Sequence, residues 1–286
     1  MFSLLAFPVL AQTSQPGQST QPTTARVVHQ INWQTGFLEI TVEQPIEEQR
    51  SNAPARLFRT QQEIEQAFPR ILFESVLPLR IDSVKTVEDA VRTTPAISSR
   101  LTELSTFTER GLPRPDQQLT SLSQQFRVPI FPNLAELFVS HQIPFRMERV
   151  VRWVPTENFS GLVIYAAGAM PHRGTGESTL LEAALLPEIY DTTLRPVLEQ
   201  DMLDPEALRR WGVVAYSEDF DEDRWRHRIG PNPYRIMARE VFGLLPTDIL
   251  ISPEDADRLL SSSHNRNMLR EGRILVIVAP GQTIDR

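Results

Sequence analysis

The run Ile274-Leu275-Val276-Ile277-Val278 is wholly apolar and rich in β-branched side chains. A strand of that kind has no polar face to offer to water, so it is expected to be buried on both faces. Other apolar stretches repeat the theme with helices scattered among them, and strands outnumber helices. That order predicts an α+β fold with mixed, mostly antiparallel sheets and packed helices, in preference to a doubly wound parallel sheet.

Val27, Ile31, Phe37, Leu38, Ile40 and Val42 flank Asn32-Trp33-Gln34-Thr35-Gly36 and read as strand, turn, strand. Leu57, Ile64, Phe68, Ile71, Leu72 and Val76 recur at helical spacing, which predicts one long helix over 53–77. Pro69 is expected to kink it. Residues 79–87 alternate and predict a strand, followed by a helix to about Leu104. Residues 111–122 read as a loop, 126–131 as a short strand, 160–168 as a buried strand, 185–190 and 212–216 as two more. Asp204 and Pro205 open a short helix, and Ser252-Pro253-Glu254-Asp255 opens another with cap, proline and first-turn acids in place. Ser261-Ser262-Ser263-His264 reads as the fraying end of that second helix.

The N-terminus is expected to be the tail of a signal peptide. Residues 1–11 are apolar and end in Val9-Leu10-Ala11, which suits cleavage before Gln12. Residues 12–24 are Gln, Ser, Thr, Pro and Gly and predict a disordered polar tether. Two α+β domains then follow, over 25–155 and 156–286. No later stretch approaches the roughly 20 apolar residues of a membrane span. The net charge of −7 argues against nucleic acid as a partner. The chain has no Cys, which removes disulfides, thiolate metal sites, thiol catalysis and lipid attachment through Cys.

No catalytic residue, cofactor or metal site stands out. The loop 171–178 holds His172, Arg173 and Glu177 among glycines. A Gly-rich loop after an apolar strand suits phosphate, yet it lacks the Gly-Lys-Ser/Thr ending of a P-loop and the spacing of a dinucleotide fingerprint, so a hairpin loop is the plainer reading. Asp219, Asp221, Glu222 and Asp223 fail as a calcium loop because Arg224 stands where Gly is needed. Arg224, Trp225, Arg226, His227 and Arg228 form a basic run with an aromatic inside, suited to phosphate, an anionic polymer or a partner. A surface loop neutralised by the preceding acids is again plainer. The five histidines lie far apart in sequence.

Several phrases carry a likeness to known proteins. Asn32 to Ile40, the helix 53–77 leading into Leu79 to Val87, and Phe159 to Gly168 followed by Leu186-Pro187-Glu188-Ile189-Tyr190-Asp191 resemble the lipoprotein-20-like proteins, with FlgP and the N-terminal part of FlgT. Asn232 to Ala238, Pro246 to Ser252 and Arg270 to Val278 look like the closing elements of related spirochaete-type envelope proteins. Tyr165 departs from the Asp common in that family, and there is no lipobox Cys. The resemblance implies a non-catalytic structural or assembly protein, periplasmic or outer-membrane associated, with a flagellar link. It also implies envelope or flagellar proteins, or further copies of the chain, as partners. The rival expectation is a periplasmic ligand-binding module or hydrolase using the 171–178 loop.

Overall fold

The computed structural model describes residues 25–47 and 52–285; the expected leader 1–11 and tether 12–24 lie outside the described residues. Strands β1 (Arg26–Asn32) and β2 (Phe37–Pro45) form the expected hairpin, in register from Arg26↔Glu43 to Asn32↔Phe37. The turn closes because Asn32 Oδ1 accepts from Thr35 N at 3.0 Å and Gly36 takes φ +73°.

Helix α1 (Ala53–Val76) starts where the side chain of Asn52 accepts from Ala55 N, and it continues through Pro69 without a break. Its buried stripe Ile64, Phe68, Leu72 and Val76 covers the alternating inward residues of the sheet. The Phe68 and Phe126 rings stack at 3.9 Å. Burying each such side chain stabilises the fold by about 1.5–3 kcal/mol.

Residues 79–87 form a tight turn in place of the expected strand. The Asp82 carboxylate accepts from Val84 N and Lys85 N, both at 2.8 Å, and this local bonding overrides the alternating pattern. Thr86 and Asp89 then form a reciprocal capping box for α2 (Val87–Thr93). The single helix expected to Leu104 is two, because Pro95 ends the first; α3 spans Ala96–Glu103. Short strands β3 (Glu109–Arg110) and β4 (Arg114–Pro115) both pair with β5 (Ser121–Pro129). The strand expected over 126–131 thus begins earlier. The antiparallel sheet runs Ile284–Asp285, β1, β2, β5, β3, with β4 also on β5.

The remainder builds two four-stranded sheets and one two-stranded hairpin, β7–β8. Strands are β6 (Gly161–Ala166), β7 (Met170–Pro171), β8 (Ser178–Thr179), β9 (Ile189–Asp191), β10 (Pro196–Leu198), β11 (Ala215–Ser217), β12 (Pro233–Met237), β13 (Glu240–Phe242), β14 (Asp248–Ile251) and β15 (Ile274–Val278). Helices are α4 (Pro205–Trp211), α5 (Arg226–Ile229), α6 (Pro253–Ser261) and α7 (Ser263–Arg270). The sheet β11-β15-β6-β12 is parallel throughout, and β10-β9-β14-β13 is mixed. All five residues of β15 are buried, as its composition requires. Leu162, Ile164 and Val276 face the large core shared with α1 and the first sheet, while Val163, Leu275 and Ile277 face a smaller cluster under Ile229 of α5.

Three further expectations shift. The strand placed at 185–190 is confined to Ile189–Asp191, since Leu185 N and Leu186 N donate to Arg80 O and Ile81 O instead. The strand at 212–216 begins only at Ala215, after Gly212 has capped α4. Ser262 is no frayed end: its side chain accepts from His264 N and starts α7.

Candidate functional site

The 171–178 loop is the tip of the β7–β8 hairpin. Its polar groups turn back onto the neighbouring sheet. His172 Nε2 lies 2.8 Å from Gly243 O, and Arg173 pairs with Glu240 at 3.1 Å while donating to Thr192 O. Glu177 is exposed. His141, His227 and His264 each share a ring nitrogen with a backbone carbonyl in the same way, which places a proton on that nitrogen. Among the described residues no group of three or more His, Asp or Glu is placed to hold a metal ion.

Two ionisable clusters lie inside the second half, and sequence spacing did not reveal either. Around β9 and β14, Tyr190 donates to Glu188, and the Asp248 carboxylate accepts from Glu188 N at 3.0 Å. Burial pushes Glu188 and Glu199 above the usual carboxylate range and Asp248 up to about 6; Glu188 and Asp82 add repulsion at Asp248. Nearby, buried Asp191 accepts from Thr193 and from Arg195, whose other branch reaches Asp257 at 2.8 Å. Arg152 also donates to Asp257. Hydrogen bonds from the arginines hold Asp257 below its ordinary value against the cost of burial. Neither cluster lines the cleft described next.

The basic run divides. Arg226 pairs with Asp223 at 3.0 Å and Arg224 approaches Asp219 at 4.0 Å, as a neutralised surface loop requires. Arg228, two positions on, is 4% exposed. Its Nε donates to Gly272 O at 2.8 Å, Nη1 to Trp211 O at 2.8 Å and Nη2 to Gly212 O at 3.0 Å. One guanidinium therefore ties the end of α4 to the end of α7. Gly212 and Gly272 both take positive φ, and a Cβ at Gly272 would stand 2.9 Å from Gly212 O. Burial with no neighbouring carboxylate pulls the Arg228 guanidinium down to about 9, so it stays charged at neutral pH.

Arg228 lines a cleft of about 210 Å³. The β1–β2 turn forms one side, with Trp33 and Gly36; Phe131, Trp211 and Trp225 supply aromatic walls. Arg210 and His227 add basic groups, and among the described residues no Asp or Glu lines it. Of the basic run singled out in the sequence, Trp225, His227 and Arg228 thus line this cleft, while Arg224 and Arg226 do not. The loop 171–178 makes its contacts elsewhere, on the β9–β14 sheet.

A different kind of surface runs from 139 to 160, which has no regular secondary structure. Its backbone is fixed at intervals: Phe145 N donates to Asp201 O at 2.8 Å, Met147 is buried, and Asn265 holds Glu157 O and Phe159 N. Between these points Ile143, Phe145, Val151 and Trp153 point outward, Val151 at 92% and Trp153 at 86% exposure. Arg146, Arg149 and Arg152 alternate with them and are exposed.

Residues 24–137 match the family model for the N-terminal domain of Treponema pallidum Tp0624, and residues 161–280 match the model for its second domain. The two matches occur in the order those names give, and the outward-facing segment falls between them. No curated protein matches the chain.

Proposed function

We propose that this chain, similar in its two halves to successive domains of Treponema pallidum Tp0624, is a non-catalytic assembly protein of the bacterial cell envelope that works through protein–protein contacts. The observation that carries the reading is the 139–160 segment. Large apolar side chains held outward by a fixed backbone are costly in water and suit burial against a partner. Arg146 and Arg149, exposed among them, suit a partner face bearing carboxylates.

The finer form of this proposal, an exported and flagellum-associated setting, rests on the resemblance of phrases between Asn32 and Asp191 to lipoprotein-20-like proteins, FlgP and FlgT. No helix among the described residues is long and apolar enough to cross a membrane. The alternative of a ligand site in the 171–178 loop is disfavoured because Arg173 is already paired with Glu240.

The test is a photo-crosslinking residue placed at the exposed position 148 in intact cells, with products identified by mass spectrometry. A discrete envelope protein, or a second copy of the chain, is the expected product. Val151→Ser with Trp153→Ser should abolish capture while changing stability by less than about 0.5 kcal/mol. A crosslink pattern no richer than that from an exposed control position, or one untouched by the two serines, would sink the proposal.

A further inference from the structure

We propose that the cleft between the β1–β2 turn, the end of α4 and the start of α5 binds a small molecule that carries one flat ring and one anionic group, a carboxylate or a phosphate. This goes beyond the assembly reading and concerns a different surface.

A cavity of about 210 Å³ walled by Phe131, Trp211 and Trp225 has room for one six-membered ring and its substituent. Aromatic walls favour a flat face laid against them, edge-on or offset. Trp225 is only partly buried, and its ring stacks on that of His227 at 6.0 Å.

Arg228 is a buried cation held by three carbonyl oxygens and by the face of Trp211, 5.1 Å away, and not by a carboxylate. Its three carbonyl bonds use three of the five guanidinium N–H groups. The other two, one on each terminal nitrogen, belong to a side chain that lines the cleft. Arg210, stacked on Trp211 at 4.2 Å, adds a second positive charge. A buried charge without its opposite is costly, and an anion entering here supplies that opposite. A neutral ring of the same shape gains only the wall contacts, which is the basis for discrimination.

Three of the four tryptophans, Trp33, Trp211 and Trp225, line the cleft, which gives the experiment its signal. In a Trp153→Phe background, intrinsic fluorescence is followed while benzoate, phenyl phosphate and their neutral counterparts benzamide and phenol are added to the full chain. The expected result is a saturable change with at least one anion and at least about tenfold weaker binding of its neutral counterpart. The carboxylate and phosphate arms show which anion is preferred. Because Arg228 also joins two helices, the variants used are Trp225→Ala on the partly exposed wall and Arg210→Gln at the exposed rim. Either one, folded by circular dichroism, should weaken the anion by about tenfold or more. The proposal is overturned if neither anion gives a saturable change, if neutral rings bind equally well, or if both folded variants bind as the parent does.

Discussion

Gly212 and Phe131 approach so closely that a Cβ built on the glycine would lie 2.6 Å from the phenylalanine Cζ. The contact joins the end of α4 to the segment that follows β5, at the glycine whose carbonyl accepts from Arg228. Gly212→Ala therefore meets two costs, a φ of +74° that L side chains rarely adopt and a ring that must move. The expected loss is about 2–4 kcal/mol in denaturant unfolding. Gly36→Ala is the control. It shares a φ of +73° but meets no atom within 4 Å, and should lose only about 1 kcal/mol.

Arg228→Met keeps the volume of the stem and removes the fork. Three carbonyls, of Trp211, Gly212 and Gly272, then lose their donor. A loss of about 3 kcal/mol or more is expected. Arg228→Lys restores charge but not three-way geometry, so it should recover less than half of that. Unfolding midpoints of the two variants decide it; equal stability of Arg228→Met and the parent would remove the clamp.

The acid cluster sets one limb of the pH dependence. Asp248 is buried and its carboxyl is pushed up to about 6. Between about pH 4, where an unfolded aspartate ionises, and about pH 6, the folded chain holds a proton that the unfolded chain has lost. Stability from this group is therefore full below pH 4 and is lost as pH rises to 6, on the order of 2–3 kcal/mol. Asp248→Asn keeps an acceptor for Glu188 N and should flatten that slope. A variant whose stability falls across this window as steeply as the parent's would contradict the assignment.

Asp257 contributes with the opposite sign. Its folded value is lowered, so its stabilisation is present above about pH 4 and is lost as pH falls through the folded value. Asp257→Ala strips a partner from Arg195 and Arg152 at once. The expected cost is about 2–3 kcal/mol at pH 7, shrinking on acidification, as thermal melts from pH 7 to pH 3 would show.

Much of this protein follows from local sequence. The caps at Asp204 and Ser252, the hairpin around Gly36 and the burial of Ile274 to Val278 on both faces each depend on residues within a few positions of one another, where backbone bonding and side-chain period act directly. Residues 79–87 mark the limit of that reading. Their alternation says strand, but Asp82 bonds the backbone just ahead of it and folds the segment into a turn.

Tertiary structure decided what lies between distant segments. No local pattern pairs β6 with β15 or sets β11 and β12 parallel at their flanks, because strand choice depends on long-range contacts with no periodic trace in either partner. The basic run shows the same division. Charge alone made Arg224, Arg226 and Arg228 equivalent, and the acids before them explained the first two. Arg228 is set apart only because α4 and α7 end beside it, each at a positive-φ glycine, and present carbonyls that a guanidinium can satisfy in the absence of water. The sequence by itself determined the capped helix starts, the hairpin at Gly36 and the buried strand Ile274 to Val278; which side chains share a cleft was determined by how the segments pack.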